Sequence, residues 1–419
     1  MDSLFPHLQS ALGIVVILAI AWAVSEDRKA AFNWRLVAGG LGMQLALALL
    51  LLKVPVARDV LFGLNGAVAA LSEATRAGTA FVFGYMGGGD PPFAVTNPGN
   101  LVNLAFTVLP LIMTISALSA VLWHWGILGA VVRAMAHVLR RVMGIGGAVG
   151  LGAAATVFLG NIEGQLVIRP YLARMSRTEL FILMTTGLAV IAGTVFVLYA
   201  TILAPVLPGA MGHLLVASMM SLPAAIMIAR MMVPGRADTG DSGSDGHKYH
   251  STMDALADGT WGGARIYAQV VAMLLVTVAM VALVNIILSH GPDLGGAPLT
   301  LERILGWVFA PVVWLYGVPW SEAVTAGGLM GTKIVLNELI SYINMSRLPP
   351  GTLDPRAAQI MVYAMCGFAN LASVGILIAG MGALVPERRD EIVPLALKAL
   401  LSGAMASGLS ACIIGLLPL

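Results

Sequence analysis

Charge is what this sequence lacks. Of 419 residues, only 11% are Asp, Glu, Lys or Arg, where a soluble domain carries about a quarter. A chain of this length could form roughly two or three soluble domains, but there is too little polar surface to cover them. The two cysteines, Cys366 and Cys412, lie in apolar runs without metal-ligand spacing. That excludes a disulfide-stapled scaffold and leaves them as small buried hydrophobes. There is no excess of either charge, the net value being +2, so no nucleic-acid partner is implied. P-loop, GxSxG and HExxH patterns are absent from the sequence, and no nucleophile–base arrangement points to an enzyme.

Apolar chain is what remains: 58% of residues are hydrophobic and 48 are glycine. This composition describes an all-α polytopic membrane protein, whose small residues let helices approach closely. A span needs about 20 mainly apolar residues. Residues 8–25 and 36–53 qualify, and the segment between them carries Arg28, Lys29 and Arg35. The positive-inside rule puts that segment in the cytoplasm and the N-terminus outside. Met1-Asp2-Ser3 has no basic run, so the first segment reads as a retained span rather than a cleaved signal. Residues 58–86 form a mixed, partly interfacial helix, 87–99 a Gly/Pro loop, and 102–127 a further span. Over 129–143, Arg133, His137, Arg140 and Arg141 recur at helical spacing, the pattern of an amphipathic interfacial helix or else of a basic loop. His124, between Trp123 and Trp125, reads as an interfacial belt residue. Residues 180–229 hold two spans with a turn at Pro205–Gly212. Residues 266–289 are another span, and 357–385 and 391–417 two more. The basic turn Pro386–Asp390 between the last two is expected in the cytoplasm, which places the C-terminus outside.

Two segments do not fit simple spans. Residues 144–170 are broken at Gly160-Asn161-Ile162-Glu163-Gly164, and residues 302–320 at Ala310-Pro311 and Gly317-Val318-Pro319. Each looks like a helix pair that enters the membrane and turns back. Irregular backbone at that depth needs protein or a watery cavity around it. Two such units in corresponding halves point to an inverted-repeat transporter with its site at mid-depth. Glu163 sits at the first tip, and Glu338 in the apolar run after the second unit. An ionisable group there costs about 2.5–3.5 kcal/mol, so both are candidates for substrate or proton binding. Glu338 could instead pair with Lys333, and Lys333 and Arg169 could be counter-ions or anchors. Asn337, Asn370 and Ser373 add neutral polar groups in apolar surroundings, which could equally be interhelical hydrogen bonds.

Several motifs together resemble a family. They are Leu12-Gly13-Ile14-Val15, Asn33-Trp34-Arg35-Leu36, Val108-Leu109-Pro110, Gly331-Thr332-Lys333-Ile334-Val335-Leu336-Asn337-Glu338 and Cys366-Gly367-Phe368-Ala369-Asn370. The chain resembles the concentrative nucleoside transporters over nearly its whole length. The resemblance implies about eight transmembrane helices, two re-entrant helical hairpins in inverted repeats, interfacial helices, and a homotrimer in the inner membrane. It also implies elevator-type import of nucleosides driven by sodium or protons. On that reading residues 1–128 are N-terminal spans and scaffold, 129–232 hold the interfacial helix, first hairpin and following spans, 233–261 are a hydrophilic linker, and 262–419 carry a scaffold span, the second hairpin and substrate-binding spans.

By resemblance, Glu338, Asn370 and Ser373 are ribose-binding, with Phe368 and Asn337 beside them and Val195 among the substrate residues. A carboxylate suits the role because it can accept from two sugar hydroxyls. The base side departs from the family pattern. The usual tip is Gly-Gln-Ser/Thr-Glu-Ala-Pro; here it is Gly160-Asn161-Ile162-Glu163-Gly164-Gln165. A shorter amide and the loss of a hydroxyl imply a base held differently, or a modified nucleoside or other hydroxylated metabolite; a nontransporting nucleoside-binding membrane protein is a further alternative. The cation positions depart as well. Sodium-coupled members have an Asn and a Ser where this chain has Thr156 and Val190. Leu159 and Ile191 could offer only backbone carbonyls, and a hard cation needs oxygens. Proton coupling is therefore expected over sodium, with Glu163 or Glu338 as carrier and no other cofactor or metal.

Overall fold

The computed structural model describes residues 5–96, 103–237, 249–293, 296 and 298–417. Every regular element among them is helical. Among the described residues, seven helices are long and apolar enough to cross a membrane, or up to eight if a bent pair counts as one span. The start of the chain (1–4), part of the Gly/Pro loop (97–99) and most of the hydrophilic linker (238–248) lie outside the described residues.

Local chemistry sets the helix starts. The Asn33 side chain accepts from the Arg35 and Leu36 amides and begins Trp34–Lys53. Ser176 and Glu179 form a capping box that begins Arg177–Ala189. Asp354 caps a helix with Pro355 at its first position. The expected mixed segment 58–86 is one helix, Pro55–Phe83, closed by a tight turn at Gly84–Gly87. The basic segment is a helix and not a loop: Ile127–Met143 buries Gly129, Val132, Ala136, Leu139 and Met143 along one stripe and leaves Arg133, His137, Arg140 and Arg141 exposed.

Two parts of the chain repeat one order of elements. Gly147–Leu159 breaks at Gly160 into Asn161–Leu166, a broken span follows as Arg177–Ala189 and Gly193–Leu203, and Ala210–Met232 is unbroken. Later, Trp320–Val335 breaks at Leu336-Asn337 into Glu338–Ser346, a broken span follows as Pro355–Met365 and Leu371–Leu384, and Arg389–Leu416 completes the set.

This order corrects the expected position of the second unit. The turn at Gly317–Pro319 exists, and Leu301–Tyr316 and Trp320–Val335 bend there by 114°. The polar tip comes one helix later, so the segment 302–320 stops short of it. Glu338 is accordingly the first residue of a new helix and not a mid-span residue. Residues 357–385 are likewise two helices rather than one, broken at Cys366–Asn370.

Packing fixes two opposite faces. On one, the Glu26 amide donates to the Met232 carbonyl, and Glu26 holds Arg177 at 2.9 Å and Lys398 at 2.7 Å. On the other, His7 Nδ1 lies 3.2 Å from the Gly415 carbonyl, so the described ends of the chain share a face. Thr252–Leu288 packs on Leu111–His124 through glycines: a Cβ at Gly259 would sit 2.7 Å from Ala120 Cβ, and one at Gly263 would sit 2.7 Å from Met113 Cα. Cys366 and Cys412 are fully buried free thiols.

Candidate functional site

Where the helices break, the polar groups gather. Both tips and both broken spans meet around one cleft, and Asn161, Ile162, Glu163, Val195, Asn337, Glu338, Phe368, Asn370 and Ser373 all line it. It encloses about 1070 Å³ with its open mouth included.

Glu338 is held from both halves. The Tyr199 hydroxyl donates to Oε1 at 2.6 Å, and Asn370 Nδ2 donates to Oε2 at 3.1 Å. Each oxygen keeps lone-pair capacity for a further donor. Asn337 and Asn370 are also helix caps: Asn337 Oδ1 accepts from the Ile340 amide at 2.9 Å, and Asn370 Oδ1 accepts from the Ser373 amide at 2.8 Å. That capping fixes their rotamers and leaves the Asn370 amide nitrogen for the carboxylate. Lys333, weighed as a partner of Glu338, does not bond it; the lysine is wholly buried, and its Nζ has no hydrogen-bond partner among the described residues.

On the other wall, Gly160 takes φ 111°, a conformation that side chains rarely adopt. This lets the chain turn directly into Asn161. Asn161 Oδ1 accepts from Gln165 Nε2 at 3.2 Å, and Gln165 also donates to the Leu183 carbonyl at 3.3 Å. Ile162 packs on Gly380 of the second broken span. The two broken spans touch at their breaks, where the Phe368 amide donates to the Val190 carbonyl at 3.3 Å.

The expected cation positions are less open. The Thr156 hydroxyl donates to the Gly152 carbonyl of its own helix at 2.8 Å. The Val190 side chain has no oxygen, and its carbonyl is used by Phe368. The Ile191 amide donates to Ser218 Oγ at 3.2 Å, and Leu159 lines the cleft. Arg169 opens the short helix Arg169–Leu172 away from the cleft's lining. His124 stacks edge-on to Tyr249, ring centres 6.3 Å apart.

Sequence reading missed Tyr199 and Thr194, both buried in the first broken span, and Gln269 and Met273, which close the cleft from Thr252–Leu288. A single Tyr or Thr in an apolar run carries no spacing signal. The break beside them, at Val190–Ala192, contains neither Gly nor Pro.

Three family models match successive parts of the chain. They are described as Na+ dependent nucleoside transporter N-terminus (residues 12–86), Nucleoside recognition (105–206) and Na+ dependent nucleoside transporter C-terminus (213–415). The chain is 38% identical over 415 residues to the uncharacterized transporter YutK of Bacillus subtilis, covering 98% of this chain and 99% of that one. It is 36% identical to nucleoside permease NupC of Helicobacter pylori, covering 99% and 98%. It is 30% identical to sodium/nucleoside cotransporter 1 of Rattus norvegicus, over 98% of this chain and 64% of that longer one. Among solved structures, CNTnw in an inward-facing substrate-bound state matches with a TM-score of 0.89, 37% identity and 98% of both chains. A doubly substituted CNTnw in an outward-facing state matches with a TM-score of 0.88 at 37% identity, over 98% of this chain and 97% of that one. The chain belongs to the concentrative nucleoside transporter family, multi-pass membrane transporters of helical fold.

Proposed function

We propose that this protein is a secondary active importer of nucleosides that couples uptake to protons. The observation that carries the reading is Glu338, a carboxylate held by Tyr199 and Asn370 on the wall of a cleft that has no Lys or Arg in its lining. Such a group accepts from vicinal hydroxyls of a neutral sugar, while Asn161 and Glu163 face the base. Protons are favoured over sodium because Val190 brings no side-chain oxygen and its carbonyl is engaged. Glu163 or Glu338 is the carrier. The face bearing Glu26, Arg177 and Lys398 is cytoplasmic by its basic neighbours, and both ends of the chain face outward across the inner membrane.

Transport in this proposal is an elevator-like movement of the two hairpins and broken spans against a scaffold that includes Thr252–Leu288. The most apolar window of that helix has none of its residues buried within the chain, which suits a homotrimer seam and lipid contact. Ile162 at the tip, in place of a hydroxyl, favours a second reading of the cargo: a modified nucleoside or another hydroxylated metabolite.

Proteoliposome uptake of a labelled nucleoside panel, with proton and sodium gradients imposed separately, tests both. Accumulation under an inward proton gradient and none under sodium alone is expected. Sodium-driven uptake overturns the coupling. Binding without any counterflow makes the protein a nontransporting binder, and uptake of only modified nucleosides selects the second reading.

A further inference from the structure

A second cavity adjoins the central cleft. It encloses about 840 Å³ with its mouth included, and Leu159, Glu163, Thr194 and Ile266 line both. Its far wall comes from Leu111–His124 and from Tyr249 with the first turns of Thr252–Leu288. Trp125 Nε1 donates to Thr252 Oγ1 at 3.2 Å and pins these two helices at that end.

The lining combines two kinds of group. Trp123, Phe158 and Tyr249 offer aromatic surface; Ser116 and Ser119 offer hydroxyls. Thr194 is only 5% exposed, and it lines both cavities. A hydroxyl that lines two joined cavities is placed to donate to, or accept from, a polar ligand passing between them. Two carboxylates line the space, Glu163, which it shares with the central cleft, and Asp258, and no Lys or Arg does.

We propose that this cavity is a second nucleoside-binding station, occupied on the way between the central cleft and the side where Thr252–Leu288 begins. The base lies against Trp123 and Phe158, and the sugar meets Ser116, Ser119 and Thr194. The two carboxylates exclude phosphorylated nucleotides, so the ligand is the neutral nucleoside itself. This inference rests on the nucleoside reading of the central cleft.

Equilibrium binding of labelled uridine and adenosine to the purified full chain in detergent tests it. Two classes of site per protomer are expected, the second about tenfold or more weaker. Glu338→Gln removes the tight class and leaves the weak one. The double change Ser116→Ala with Ser119→Ala, and separately Trp123→Leu, removes the weak class and leaves the tight one. Uridine monophosphate displaces neither. A single class at one nucleoside per protomer up to saturation overturns the second station and leaves the central site standing. So does a weak class that survives both the double serine variant and Trp123→Leu, or one displaced by the monophosphate. Absence of both classes overturns the nucleoside reading, and the second station falls with it.

Discussion

Tyr199 donates its hydroxyl to Glu338 Oε1 at 2.6 Å, and the bond joins the first broken span to the tip of the second hairpin. It is the only contact of its kind that ties the carboxylate to the first half of the chain among the described hydrogen bonds; Asn370, the other donor, belongs to the second half. Tyr199→Phe deletes one donor and little volume. Hydrogen bonds to charged groups are worth about 1.5–3 kcal/mol, so apparent substrate affinity in uptake assays is expected to fall by roughly tenfold or more. Glu338→Gln, which removes the charge and keeps the shape, is expected to abolish uptake. Equal activity of Tyr199→Phe and the parent protein would show the bond to be dispensable.

The second prediction concerns the Ile162–Gly380 contact. A Cβ at position 380 would overlap the Ile162 side chain, which is branched and cannot simply swing aside. Gly380→Ala is expected to cost about 1–3 kcal/mol of packing strain at the tip and to lower uptake. Ile162→Ala in the same chain is expected to restore it. Failure of the double variant to recover would mean that the two positions do not act as a pair.

Gly187 makes a separate case. A methyl there would overlap the Asn161 amide, while the surrounding helix Arg177–Ala189 should tolerate alanine well. Gly187→Ala is expected to displace Asn161 and change base selectivity across a nucleoside panel, with ribose-dependent recognition through Glu338 retained. A uniform loss for every nucleoside would instead indicate general misfolding, and a thermal melt distinguishes the two.

The Glu26 cluster predicts a pH dependence of stability. Hydrogen bonds from the Arg177 guanidinium are the largest influence and outweigh the opposing effect of burial; with Lys398 adding to them, they hold the Glu26 carboxyl down from 4.5 to about 2. A depressed carboxyl contributes stability that is complete above its unfolded value and is lost as pH falls through the folded one. The melting temperature of Glu26→Gln should therefore lie below that of the parent at pH 7 and converge with it between about pH 4.5 and pH 2. The gap should be small, under about 1 kcal/mol, because these side chains are part-exposed. A gap that widens on acidification contradicts the assignment.

How much of this was legible in the sequence depended on what each feature leaves behind. Apolar runs and the amphipathic stripe of 127–143 announce themselves by period, and Gly160 marks its own break. Asn337, Glu338 and Asn370 are polar in apolar surroundings, which drew attention to them. Their role as caps was hidden, since capping depends on where a helix starts. The second tip lies one helix later than the sequence suggests because Gly317 and Pro319 are louder signals than Leu336-Asn337, whose break rests on an unusual leucine conformation (φ −103°, ψ −91°) and an extended asparagine. Tyr199 could not be found from a single sequence, because its partner lies 139 residues away.

The bond from the Phe368 amide to the Val190 carbonyl has a different kind of consequence. Both atoms belong to the main chain, so no side-chain replacement deletes the bond directly. The crossing of the two broken spans is in that sense written in backbone, while the polar groups that line the cleft are written in side chains at the tips. On the proposed function, exchanges at positions such as 156, 161, 162 and 190 alter what is carried and what drives it without giving up the frame that holds the tips in place.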